Sequence, residues 1–118
     1  MQERRNGPTV YYDGACPICR REIAHYRSRA GADQIAWVDV SACPQEALGP
    51  GLTREAALAR MHVRAEDGSL VSGARAFATL WAALPGFRLL GRLVGSRAVA
   101  PIAELAYRLF LLLRRAWR

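Results

Sequence analysis

Thr9-Val10-Tyr11-Tyr12-Asp13-Gly14-Ala15-Cys16-Pro17-Ile18-Cys19 is the stretch that decides how the chain is read. Its first four residues are β-branched or aromatic and read as a short buried strand, which Asp13-Gly14 ends in a turn. Pro17 fits the first helical position, where a missing N–H costs nothing, and Gly31 supplies a C-terminal stop. A helix is therefore expected from about Pro17 to Arg29. Gln34 to Val40 reads as a second strand, with Ile35, Trp37 and Val38 directed inward. A strand, a crossover helix and a strand make a β-α-β unit, whose geometry requires parallel strands.

Working outward, Ser41 to Gly51 is a Pro/Gly-rich loop, and Thr53 caps a short helix that runs to Ala59. Met61 to Ala65 and Leu70 to Ser72 pair as a hairpin around Asp67-Gly68. Gly73 opens another helix, Ala74 to Leu84, which Pro85-Gly86 ends. The order is β-α-β-α-β-β-α, an α/β plan with a four-stranded mixed sheet flanked by helices. Phe87 to Gly95 and a last helix near Ala98 to Trp117 follow it. The expected organisation is a disordered tail over residues 1–8, a domain over 9–84, and a basic, amphipathic helical extension over 85–118 packed on that domain.

Composition bounds what this plan can do. The chain has 118 residues, 52% of them hydrophobic, enough for one domain with a real core. All 17 basic residues are Arg, and ten acids leave a net charge of +7. With no Lys present, Schiff-base chemistry, a lysine general base and a phosphate-loop lysine are excluded. The charge is also segregated. Residues 84–118 hold seven Arg against Glu104 alone, whereas residues 1–83 are nearly balanced. A basic, leucine-rich tail points to an anionic surface, an acidic partner or a solvated helix face, and no nucleic-acid reading motif accompanies it.

Three cysteines, Cys16, Cys19 and Cys43, are too few for a disulfide framework. The polar N-terminus lacks a signal-peptide pattern and no apolar run reaches spanning length, so a cytoplasmic protein is expected. Cys16 and Cys19 stand at the strand-to-helix junction, where two thiols at i and i+3 can meet across one turn. The first sits at the helix N-terminus, whose unpaired N–H groups and macrodipole favour an anion. Cys16 is thus the expected nucleophile and Cys19, one turn deeper, the resolving thiol. Two other readings stand beside this one: a zinc half-site, which lacks a second ligand pair in the sequence, and two ordinary packed cysteines. The redox reading needs no cofactor.

The residues also carry a likeness to known proteins. Tyr11 to Arg21 resembles the opening of the DCC family of thiol-disulfide oxidoreductases, named for its Asp-Cys-Cys motif, here Asp13, Cys16 and Cys19. Trp37 to Val40, Met61-His62-Val63, the Asp67-Gly68 turn, Gly73 to Phe77 and Ala106-Tyr107-Arg108 are similar to the same pattern, so the resemblance runs from Val10 onward. It implies a thioredoxin-like fold and exchange between a dithiol and a disulfide, with a disulfide-containing protein or a small thiol as substrate and a separate electron donor. Thioredoxins place a cis-proline before the third strand, facing the cysteines. Here Arg60 or Met61 stands at that place, so a more specialised exchanger is expected than a general protein-disulfide reductase or a glutaredoxin.

Supporting residues follow. Asp13 reads either as a turn-bonding carboxylate that tunes the cysteines or as a proton carrier for Cys19. Gly14 and Pro17 shape the turn and the helix start, and Arg20 stands close enough in sequence to act electrostatically on Cys16, with a solvent-facing position as the plainer reading. His25, nine residues after Cys16, falls on the opposite helix face. His62, at the start of the third strand, is the better histidine, although a local hydrogen bond is the plainer reading of it. Cys43 reads as a small buried hydrophobe or a second redox partner. In the last helix Ile102, Leu105, Leu109, Leu112 and Leu113 form an apolar stripe, with Glu104, Arg108 and Arg115 on another face. That stripe is expected to pack on the domain. Phe110, Leu111 and Trp117 widen the apolar surface, which opens docking to a membrane surface or a protein partner. A binding module recruited that way, without catalysis, is the alternative function.

Overall fold

The computed structural model describes residues 7–116. Most of the tail expected over residues 1–8, and Trp117, lie outside the described residues. Pro8 is buried, and its carbonyl accepts from the Ala36 amide at 3.1 Å.

The strands are β1 (Thr9–Tyr12), β2 (Ala36–Asp39), β3 (His62–Arg64) and β4 (Leu70–Ser72). They form one sheet in the order β2-β1-β3-β4, with β1 and β2 parallel and the other two pairs antiparallel. This is the mixed, thioredoxin-like α/β architecture expected from the β-α-β unit and the hairpin. The helices are α1 (Pro17–Arg27), α2 (Arg54–Ala59), α3 (Ala74–Ala83), α4 (Arg88–Val94) and α5 (Ala100–Arg114). α1 ends before the expected Arg29 because the Ser28 amide and hydroxyl both fold back onto the His25 carbonyl. Gly31, with φ of 89°, then turns the chain into a short 3-10 segment, Ala32–Gln34.

Side-chain alternation along β1 creates two cores, one on each sheet face. Val10 joins Ile23 and Tyr26 of α1, Val63 of β3, Leu80 of α3 and Tyr107 of α5. Tyr11 faces the other way, onto Val40, Leu48, Leu52 and Ala57 beneath α2. The Thr53 hydroxyl caps α2 as expected, accepting from the Ala56 amide at 3.1 Å.

The last helix packs through a different face from the one its leucines suggest. Ile102, Leu105, Leu109, Leu112 and Leu113 are 52–69% exposed, whereas Tyr107, Phe110 and Leu111 meet the first core. Polar anchors set this rotation. The Tyr107 hydroxyl accepts from the Met61 amide at 2.7 Å, and Glu104 pairs with Arg60 at 2.6 Å while also accepting from the Ala74 amide. Turning the leucines inward would leave the buried Met61 N–H without its acceptor, at a cost of about 1–3 kcal/mol, and the half-buried Arg60 without its carboxylate.

Candidate active site

The turn between β1 and α1 is built by backbone bonds to two aspartates. The Asp13 carboxylate, almost wholly buried, accepts from the Ala15 amide at 3.0 Å, and its carbonyl accepts from the Cys16 amide at 3.2 Å. Parallel pairing sets Asp39 of β2 opposite Tyr12, and its Oδ1 reaches back to the Gly14 amide at 2.9 Å. A Cβ on Gly14 would run into the Asp39 carboxylate, so any side chain there must displace Asp39 from its bonds. Burial raises the Asp39 carboxyl, but hydrogen bonds from Ser41 and Gly14, with the Arg20 charge, outweigh it and hold the group below its usual range. Arg20 itself is exposed and lies 3.5 Å from the Gly14 carbonyl. It acts on the turn rather than lying directly against the Cys16 sulfur.

Cys16 is the N-cap of α1. Its Sγ accepts from the Cys19 amide at 3.3 Å, and Pro17 occupies the first turn. Cys16, Cys19, Ile23 and Tyr26 follow the i, i+3, i+4 spacing of one helix face, so the cysteines continue the stripe that packs α1 on the sheet. Cys16 is wholly buried and Cys19 partly so. Burial, then the hydrogen bond to Cys16 and the charge there, push the Cys19 thiol up to about 12, with Arg114 offsetting part of the rise. Cys19 is therefore a thiol at neutral pH, directed toward the Cys16 sulfur.

Beside Cys19 opens a cavity of about 470 Å³ between α1, α3 and α5. Tyr26, Phe77, Trp81, Tyr107 and Phe110 line it, with Asp13, Glu22, Arg60 and Arg114 as charged groups. Arg114 is anchored by its Nη2 to the Leu58 carbonyl at 2.8 Å and the Ala59 carbonyl at 3.3 Å. Neither its place beside Cys19 nor that of Tyr107 was legible from local periodicity, because their partners stand 46 to 56 residues earlier in the chain.

The remaining candidates lie elsewhere. His62 pairs with Tyr11 and so projects from the face opposite α1, and its Nδ1 makes a local contact with the Arg60 carbonyl at 2.9 Å. Burial first, and then the Arg60 charge, hold its imidazole below the usual value. Cys43 packs against the second core, among Val38 and Leu58. His25 is exposed, with Arg29 3.2 Å away. Among the described residues no three His, Cys, Asp or Glu side chains converge as metal ligands, no peptide bond is cis, and no helix is long and apolar enough to cross a membrane.

A family comparison matches residues 10–118 to the DCC1-like thiol-disulfide oxidoreductases. The chain belongs to the DCC1-like family. No curated protein and no solved structure matched it in the same comparisons. The DCC1-like match spans the Cys16–Cys19 pair, both cores and the whole of α5, so the basic helices are part of the family's unit rather than an addition to it.

Proposed function

We propose that the chain is a dithiol-disulfide exchanger in which the Cys16 thiolate attacks a substrate disulfide and Cys19 resolves the mixed disulfide. The observation that carries this reading is the Cys16 Sγ at the N-cap of α1, taking the Cys19 amide at 3.3 Å. A sulfur at that position faces the unpaired N–H groups of the helix's first turn. Because Cys16 is buried, attack follows local opening of the turn over residues 13–19, the kind of low-energy fluctuation that exposes part of a fold without unfolding it.

The second step follows from the causes acting on Cys19. Two of the three that raise its pKa come from the Cys16 sulfur. Once Cys16 is bonded to substrate sulfur its charge is gone, and only burial opposes Arg114. Cys19 is thereby released to ionise when resolution needs it, attack the Cys16 sulfur, and expel the substrate thiolate. In a reducing compartment the dithiol rests reduced, and the chain works as a reductase or isomerase.

The test is trapping. A Cys19→Ser variant incubated with cell extract should accumulate mixed disulfides on Cys16, and mild oxidation of the unaltered chain should give a Cys16–Cys19 bridge with Cys43 free. A dominant bridge to Cys43, or trapping only by the Cys16→Ser variant, overturns these assignments. Function lost on alkylation of both cysteines fits the exchanger, whereas partner binding that survives alkylation, with no exchange by the unaltered chain, would turn the reading toward a binding module.

A further inference from the structure

We infer that the cavity beside Cys19 is a substrate site for a compact disulfide with aromatic or branched apolar substituents, rather than for an extended polypeptide. This rests on the exchange reading above. Three observations point to that occupant. Its volume of about 470 Å³ falls in the range of about 300–1,000 Å³ typical of small-molecule pockets. Its wall is aromatic, with Phe77 and Trp81 of α3 packed 5.4 Å apart and Tyr107 5.8 Å from Phe77. The Met61 amide, just before β3 and facing the same space, already donates to Tyr107. It is not offered to a peptide strand. Of the two arginines lining this site, Arg60 is paired with Glu104, whereas Arg114 lies beside Cys19 and is held by carbonyls. A thiolate leaving the cavity therefore departs beside a positive charge.

The step balances as follows. Cys16, brought to the cavity by opening of the turn over residues 13–19, attacks a substrate sulfur as the thiolate, forming a mixed disulfide and expelling the other half as a thiolate. Cys19, giving its proton to that departing thiolate, attacks the Cys16 sulfur, forming the Cys16–Cys19 disulfide and expelling the second thiolate. Two electrons pass from protein to substrate, and an external dithiol returns them.

The experiment follows the reduced chain by stopped flow against a dipyridyl disulfide, oxidised glutathione and insulin, each rate divided by that of a free small thiol. The dipyridyl disulfide should saturate and lead the others by at least about tenfold. Ala106→Trp, at the mouth of the cavity, should slow it about tenfold more than it slows oxidised glutathione, while Leu109→Trp on the outer face should not. Equal normalised rates for all three, or no selective loss in Ala106→Trp, overturn the inference and leave exchange standing. The redox-inert dipyridyl sulfide, titrated into the Cys16→Ser/Cys19→Ser chain, should shift the Trp81 indole N–H resonance. Binding there without turnover by the unaltered chain retains the cavity and removes the exchange reading, whereas turnover without binding removes the cavity.

An independent observation carries a second proposal. Leu89 and Leu93 of α4 and Ile102, Leu105, Leu109 and Leu112 of α5 are 55–80% exposed on two touching helices. Arg88, Arg92, Arg97, Arg108 and Arg115 are exposed around them, and the one acid of this region, Glu104, is held by Arg60 and Arg108. We propose that this face docks on an anionic lipid surface. A second copy of the chain would oppose arginine with arginine, whereas acidic headgroups complement them. The full chain should float with phosphatidylglycerol vesicles and not with phosphatidylcholine vesicles, less so at high salt, and Leu105→Gln/Leu109→Gln should abolish it. Absence of flotation, or flotation equal in the variant or on neutral vesicles, overturns the proposal. Truncation is a poor substitute, since it removes Tyr107 from the core.

Discussion

At the scale of single residues, the site depends on contacts too close to admit a methyl group. Gly14→Ala should cost about 1–3 kcal/mol by forcing Asp39 from its bonds to Gly14 and Ser41, read as a lower denaturant midpoint. An unchanged midpoint would mean that the β1-α1 turn is looser than the 2.9 Å bond between Gly14 and Asp39 implies. Cys16→Ala should lower the Cys19 pKa from about 12, seen as earlier thiolate absorbance on raising pH, because it removes a hydrogen bond and a charge that both favour the thiol. If the curve does not move, burial alone sets Cys19. Much of this was visible in the residues: Cys-Pro-Ile-Cys after a strand fixes the N-cap position of Cys16, and the spacing from Cys16 to Tyr26 marks one buried helix face. Asp39 was visible only as part of a strand. Its bond to Gly14 depends on the register of β1 against β2, which no local pattern specifies.

At the scale of elements, α5 is the informative case. Its leucines give a stronger apolar stripe than the face it buries, so periodicity alone selects the wrong side. Tyr107 and Glu104 decide instead, through Arg60 and Met61, which lead into β3, and Ala74 at the start of α3, and such long-range pairings leave no trace in a local window. Tyr107→Phe should cost about 1–3 kcal/mol, because it leaves the buried Met61 amide without an acceptor while keeping the ring contacts. Denaturant unfolding of the variant checks it. Glu104 makes the same docking sensitive to acid. Burial raises its carboxyl, but hydrogen bonds from Arg60, Ala74 and Arg108 outweigh this and depress it below 4.5. The unfolded chain therefore takes up this proton at higher pH than the folded one. Its contribution is complete above about the ordinary glutamate value and disappears as pH falls through the folded value. Glu104→Gln should flatten the acid limb of a stability profile, and an unaltered limb would assign it to other carboxylates.

At the scale of the molecule, the sequence divides where the structure does not. Charge and composition separate a nearly neutral first part from a basic tail, yet Tyr107, Phe110 and Leu111 complete the first core. The β-α-β unit and the hairpin were readable because each is local or nearly so. The dependence of the domain on its last helix was not, since hydrophobic counts cannot say which apolar face meets which core. The bond between Tyr107 and Met61 joins residues 46 apart, and closing so long a loop is entropically unfavourable until much of the intervening chain is ordered. Contacts that form late on folding are lost early on warming when they are also few. Maleimide labelling of Cys19 should consequently accelerate at temperatures where the far-ultraviolet helix signal is still intact, and parallel loss of the two signals would show that α5 unlocks only with the whole fold. The same bond that seats α5 thus makes thiol reactivity a thermometer for the molecule's first step toward unfolding.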